Sequence, residues 1–216
     1  ELAKKGYQVT LTDITPKLVE KANEKAIEMG LEKQFSEFLI RDARDLFGLG
    51  ADQFDASLMF GPLYHLQLEK DRIQAVQELY RVTKVGGVVF VAVRPRIGKV
   101  LTVLMFPEQW KPLDNMAEVN KFIESGVFNH SEKGRFTEAY FFNIEDIKPF
   151  FESNGFETIE LLSSTGIGAR LSSEIWDYWR IRGEQDTLME LIYQSATDPY
   201  LFGTASHLLY VGRKKS

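Results

Sequence analysis

The sequence contains no cysteine, which excludes a disulfide framework, a thiolate nucleophile and a cysteine-ligated zinc site, and suits a reducing, cytoplasmic compartment. Histidine is scarce, with three residues, and no spacing of histidine to carboxylate resembles a metal site, so no metal is expected. Long apolar runs are missing too. No window approaches the roughly 18 residues of a membrane span, and no basic segment followed by an apolar one opens the chain, so neither membrane nor targeting segment is expected. Nor is positive charge in excess: 26 Lys and Arg face 31 Asp and Glu, a net charge of −5, which gives no long-range attraction toward nucleic acid. What remains is 216 residues, 44% hydrophobic and 26% charged, the balance of one globular domain with a substantial core.

Local patterns suggest an α/β chain. Glu1-Leu2-Ala3-Lys4-Lys5-Gly6 reads as the last turns of a helix, with lysines near its negative end and a stopping glycine. On that reading the sequence opens inside an element, and further residues are expected upstream. Tyr7 to Thr12 follows as a strand ending at Asp13, and Thr15-Pro16 starts a helix whose Leu18, Ala22 and Ala26 recur at helical spacing as far as Gly30. Phe38-Leu39-Ile40 and Phe54 to Phe60 are further short strands, and Gly61-Pro62 breaks the second. Glu69 to Lys84 carries Ile73, Val76, Leu79 and Tyr80 on one side of a helix that Gly86-Gly87 should end, and Val88 to Val93 reads as a strand covered on both faces. Asn143 caps a helix through Phe151, where Pro149 predicts a kink or a late start. Phe156 to Leu162 and His207 to Val211 read as closing strands.

Strands alternating with helices argue for a doubly wound, mostly parallel sheet, which binds ligands at the carboxyl ends of its strands. The organisation expected is a single domain over 1–216, with a core at 1–93 closed by 143–162 and 207–216. Two long connections, 94–142 and 163–206, carry many aromatics, among them Phe106, Trp110, Phe122, Phe128, Phe136 and Trp176, and are expected to form a cap.

Asp13 ends its strand, where a carboxylate either accepts from both hydroxyls of a ribose or caps the helix that follows. Asp42 ends the next strand. It is either an acceptor for an adenine amino group, with Ala43 leaving room for the ring, or a turn residue. His65 is the candidate general base, since imidazole titrates near neutral pH, and alternatively a loop-ordering side chain. Tyr64 and Arg94 are candidate substrate contacts, Arg94 for an acidic group. Tyr140 and Phe142 either wall a pocket or belong to the core. His130 and His207 are expected to be non-catalytic.

The run Glu1 to Val93 resembles the class I S-adenosylmethionine-dependent methyltransferases, in their bacterial methyltransferase-domain branch. The likeness rests on Phe60-Gly61-Pro62-Leu63-Tyr64-His65-Leu66 and Glu78-Leu79-Tyr80-Arg81-Val82-Thr83-Lys84-Val85-Gly86-Gly87, and extends through Ser153-Asn154-Gly155-Phe156 to Ala205 through Arg213. The resemblance implies a seven-stranded sheet with an antiparallel last strand. It further implies S-adenosylmethionine as cofactor, released as S-adenosylhomocysteine: Asp13 on the ribose with Ile14 beside the adenine, Asp42 and Ala43 at the adenine edge, and Phe60 and Gly61 flanking the methionine part. The family's glycine-rich loop and first strand belong before Gly6, and the sequence does not include them.

Methyl transfer to a small-molecule acceptor is therefore the function expected, with no nucleic-acid or membrane partner and with a homodimer compatible with the sequence. Two alternatives stand beside it. Asp13 reads a ribose equally well in a nicotinamide-dependent oxidoreductase, and a chain without the glycine loop suits a non-catalytic binding or dimerisation module.

Overall fold

The computed structural model describes residues 1–130 and 138–216, apart from the side chain of Arg170. Phe136, counted above among the cap aromatics, lies outside the described residues. The chain divides into two compact units, Glu1–Leu49 and Gly50–Ser216.

In the first unit a strand β1 (Val9–Asp13) pairs in parallel with β2 (Phe35–Ile40), Leu11 opposite Phe38 and Asp13 opposite Ile40. A parallel pair needs a crossover, here α1 (Pro16–Glu28), with Thr15 at its N-cap and Pro16 in its first turn. The buried residues of α1 are Val19 and Ala26, whereas Leu18 is 53% exposed. The apolar stripe is thus one residue out of phase with the expected Leu18-Ala22-Ala26, because Val19, Ala22 and Ala26 fit the 3.6-residue turn equally well.

The second unit is built on four strands in the order β3-β4-β8-β7: β3 (Phe54–Met59), β4 (Thr83–Val93), β7 (Phe156–Ser163) and β8 (Leu208–Lys214). β3 and β4 are parallel, and β8 runs antiparallel to both β4 and β7, which makes this sheet mixed. Between β3 and β4 come a short helix α2 (Pro62–His65) and α3 (Glu69–Val82), the latter burying Ala75, Val76, Leu79 and Val82. Gly86-Gly87 does not end a helix. α3 stops at Val82 and β4 begins at once, the two glycines lying inside the strand where its register on β3 slips between Phe54–Thr83 and Ala56–Val88. A bulge absorbs the extra residues.

Val89, Val91 and Val93 of β4 are fully buried, and on β8 Tyr210 stacks on Phe151 with ring centroids 3.9 Å apart. Phe151 belongs to α6 (Ile144–Glu152), which starts directly after Asn143 and carries Pro149 inside it. Asn143 does not cap the backbone: its Nδ2 donates to Asp146 Oδ2 at 3.0 Å. Between α6 and β7, Gly155 has φ +93°, and a Cβ there would lie 2.6 Å from the Tyr80 ring. Left-handed backbone and a close neighbour act together, so Gly155→Ala is expected to lower stability by about 1–2 kcal/mol. Urea unfolding checks this; an unchanged midpoint would show that Tyr80 moves aside freely.

Both long connections carry structure. The first contains α4 (Arg96–Met105), α5 (Met116–Ser125) and a two-stranded antiparallel ribbon of β5 (Val127–Asn129) and β6 (Glu138–Tyr140). Its own small core includes Val100, Val103, Val119, Phe122, Phe128 and Phe141, with Trp110 packed against it. The second contains α7 (Ser173–Ile181), α8 (Gln185–Ser195) and a 3₁₀ turn, Pro199–Thr204.

Candidate active site

In the first unit the two candidate carboxylates end neighbouring strands. Asp13 Oδ1 accepts the Thr15 amide at 2.7 Å, a turn contact that leads the chain into α1. It does not cap that helix, whose N-cap is Thr15; the turn leaves it acceptor capacity, since a carboxylate offers about four lone-pair sites. Ile14 beside it is 63% exposed. Asp42 is more fully engaged. Its Oδ1 accepts from the Arg44 amide at 2.9 Å and from Arg44 Nε at 3.0 Å, and its Oδ2 accepts from Arg44 Nη2 at 2.6 Å. Those hydrogen bonds hold its carboxyl below the usual range. An adenine amino group reaches Asp42 only by displacing some of them, so Asp42 serves its turn first. Ala43 is half-buried in that turn.

In the second unit β3 runs into Phe60, 57% exposed, and Gly61, whose φ of +154° only glycine adopts readily. The segment beyond is tied to the β5-β6 ribbon: His65 Nδ1 meets the Glu138 carbonyl at 3.1 Å, and Gln67 Nε2 donates to the Phe128 carbonyl at 3.1 Å. A carbonyl only accepts, so His65 Nδ1 carries the hydrogen in this contact. The tether gives the loop-ordering role a physical basis.

Tyr64 is near the candidate Arg94 and near His207, which is not a candidate. Its ring centroid is 5.3 Å from that of His207 and 5.9 Å from the Arg94 guanidinium carbon. Burial, with the Arg94 charge second, pushes the pKa of His207 down, which favours the neutral ring. Arg94 also lies 4.9 Å from the centre of the Phe141 ring.

Arg94 opens onto a cavity of about 180 Å³ lined also by Lys99, Trp110, Phe141, Thr165 and Ser206. Its position follows from the topology. Arg94 directly follows β4, Thr165 lies just past the end of β7, and Ser206 lies just before β8, which runs the other way. The cavity therefore sits at the carboxyl ends of β4 and β7, where open α/β sheets bind their ligands.

Tyr140 and Phe142 are not part of this lining. The Arg72 guanidinium sits 3.4 Å from the Tyr140 ring centre, and Phe142, 2% exposed, packs edge-on against Tyr140 and Phe150. Arg72 Nη1 also donates to the carbonyls of Leu66 and Gln67, at 2.9 and 2.6 Å. These aromatics support the segment carrying Tyr64 and His65. The residue between them, Phe141, faces the cavity. Lys99 and Trp110 were missed among the candidate contacts, although a single lysine within the apolar run Val100, Leu101, Val103 and Leu104 was a legible signal.

His130 is buried, its Nε2 3.4 Å from the Gln109 carbonyl and its ring against Trp110 and Phe128. Among the described residues no group of three or more His, Asp or Glu could hold a metal ion, and no helix is long and apolar enough to cross a membrane.

Residues 1–91 match the family model described as "Methyltransferase domain". No curated protein matches the sequence. Among solved structures, a SAM-dependent methyltransferase from Methanosarcina mazei superposes with a TM-score of 0.64 at 16% identity, over 99% of this chain and 85% of that one. The 1,6-didemethyltoxoflavin-N1-methyltransferase of Burkholderia thailandensis, solved with 1,6-didemethyltoxoflavin and S-adenosylhomocysteine, gives 0.54 at 11% identity over 99% and 64%. The cyclase SpnF gives 0.58 at 15% identity over 99% and 70%, so the same fold also hosts a different reaction. Residues 1–91 thus resemble the methyltransferase-domain family, and the chain carries an α/β fold that S-adenosylmethionine-dependent methyltransferases also adopt.

Proposed function

We propose that this protein transfers a methyl group from S-adenosylmethionine to a small-molecule acceptor. The observation that carries the reading is the cavity at the carboxyl ends of β4 and β7, lined by Arg94, which follows β4 and lies near Tyr64 of α2, in a chain whose first 91 residues match a methyltransferase domain. The Burkholderia enzyme of the same fold acts on a small molecule and was solved with the demethylated cofactor bound.

The residues present fit such a cofactor. Asp13 keeps acceptor capacity at the end of β1, and Ala43 is small. On this reading Asp13 accepts from the ribose hydroxyls with Ile14 along the adenine, and Ala43 with Asp42 borders the adenine edge. When bound, the cofactor supplies a carbon already activated by a sulfonium.

The protein's own work is then to orient the acceptor and exclude water, because methyl transfer is an in-line displacement. Arg94 and Phe141 position the acceptor, and Tyr64 holds the Arg94 side of the wall. An acceptor with a bound proton gives it to a base as the new bond forms, and His65 is the candidate for that role; an acceptor that is already nucleophilic has no need of this step.

Calorimetric titration of the full-length protein with S-adenosylmethionine, S-adenosylhomocysteine and a nicotinamide dinucleotide tests the reading. Micromolar binding of the sulfur ligands alone is expected. Binding of the nicotinamide ligand instead, or of none by a folded protein, overturns it.

A further inference from the structure

Among the described residues, the cavity wall holds a buried lysine that methyl transfer does not require. Arg94 and Lys99 are the charged residues on its described wall, and both are cations. Lys99 is 5% exposed. Among the described residues its Nζ makes no hydrogen bond or ion pair, and it instead sits 2.8 Å from the centre of the Trp110 ring and 4.5 Å from that of Phe128. Burial, with the Arg94 charge second, pulls its pKa down to about 7. Burying an ammonium without an anion costs several kcal/mol, which a bound anion offsets.

The rest of the wall limits what that anion is. Trp110 and Phe141 present aromatic surface, which favours stacked or edge-on rings. At about 180 Å³ the cavity is smaller than the roughly 300–1,000 Å³ of pockets for drug-sized ligands, so it suits a molecule of one ring. A planar carboxylate also matches the fork of an arginine, which can donate two parallel hydrogen bonds to it.

From this geometry we infer that the cavity binds a small aromatic carboxylic acid, its carboxylate held by Arg94 and Lys99 and its ring lying against Trp110 and Phe141. That this acid is the methyl acceptor rests on the function proposed above; the acid site itself does not.

Titration of the full-length protein with benzoate, with the isosteric neutral benzamide and with inorganic phosphate tests the inference. Benzoate is expected to bind at least tenfold more tightly than either of the others. Lys99→Met, which keeps the packing of the stem, should remove that preference, and Arg94→Gln should reduce it by a similar factor, so that one variant remains informative if the other does not fold. Equal binding of benzoate and benzamide, phosphate binding as tightly as benzoate, or an unchanged preference in both variants overturns the inference. Measuring S-adenosylmethionine separately keeps the two ideas apart. Benzoate preference without cofactor binding removes the methyl-transfer reading and leaves the acid site, whereas cofactor binding without benzoate preference does the reverse.

Discussion

Replacing Arg96 with alanine is expected to lower stability by about 3–4 kcal/mol, one of the two largest effects anticipated for a single substitution in this protein. Arg96 begins α4 yet is buried. Its Nε donates to the Phe141 carbonyl at 3.1 Å, and its Nη1 donates to Ile123 at 2.7 Å and Glu124 at 3.4 Å, near the C-terminus of α5. Helix C-termini leave carbonyls without intrahelical partners and carry partial negative charge, so a guanidinium is well matched there. Alanine would strand these acceptors in the small core around Phe122 and Phe141. Each hydrogen bond to a charged group is worth about 1.5–3 kcal/mol, and each buried carbonyl left alone costs about 1–3 kcal/mol. For a chain of this size the melting temperature should fall by roughly 10 °C. Arg96→Lys keeps the charge and loses the fork, and should recover less than half. A loss below about 1 kcal/mol on urea unfolding would mean that water replaces the guanidinium. Because Arg96 also fixes Phe141, the alanine variant should disturb the cavity wall as well.

The second large effect concerns binding. Asp13→Ala is expected to weaken S-adenosylmethionine by ten- to a hundredfold, since charge-assisted hydrogen bonds to two hydroxyls contribute about 1.5–3 kcal/mol each, partly recovered by water. Stability should fall by less than about 1 kcal/mol, the worth of the turn contact to Thr15 alone. Asp13→Asn separates the contributions, because it keeps an oxygen for the turn but removes the charge. Unchanged cofactor affinity in both variants would leave Asp13 as a turn residue only. Asp42→Asn makes a useful contrast. Arg44 already occupies both Asp42 oxygens, so its effect on affinity should be much the smaller.

Much of this architecture was legible because it depends on local chemistry. Thr15-Pro16 marks the start of α1, a valine-rich run marks β4 and a short apolar run marks β8, and the order of strands and helices places Asp13, Asp42, Phe60 and Arg94 at strand ends. What was not legible depends on partners distant in sequence. Whether Leu18 or Val19 is buried depends on a rotation of one residue, and both stripes fit the helical period. Gly86-Gly87 looks like a helix stop unless it is known that Thr83 already pairs with Phe54.

The aromatic run shows the same limit at the site. Tyr140 and Phe142 share one side of an extended chain and Phe141 has the other. Sequence identifies the alternation but not which side meets the cavity, and that is decided by Arg72 and Phe150. Lys99 was overlooked for a related reason. A lysine on a helix normally reaches solvent, and here Trp110 and Phe128, contributed by later segments, enclose it.

The placement of β8 bears on how the protein is made. This strand comes last in sequence and yet lies inside its sheet, between β4 and β7. While the chain leaves the ribosome, β3 and β4 can pair early, but β7 and the far side of β4 keep bare edges until residues 208–214 emerge. Unpaired edges attract other strands, and closure across more than about a hundred residues is slow. The nascent protein therefore passes through a stage exposed to aggregation, and synthesis rate or a chaperone that shields strand edges should govern its yield more than the stability of the finished fold.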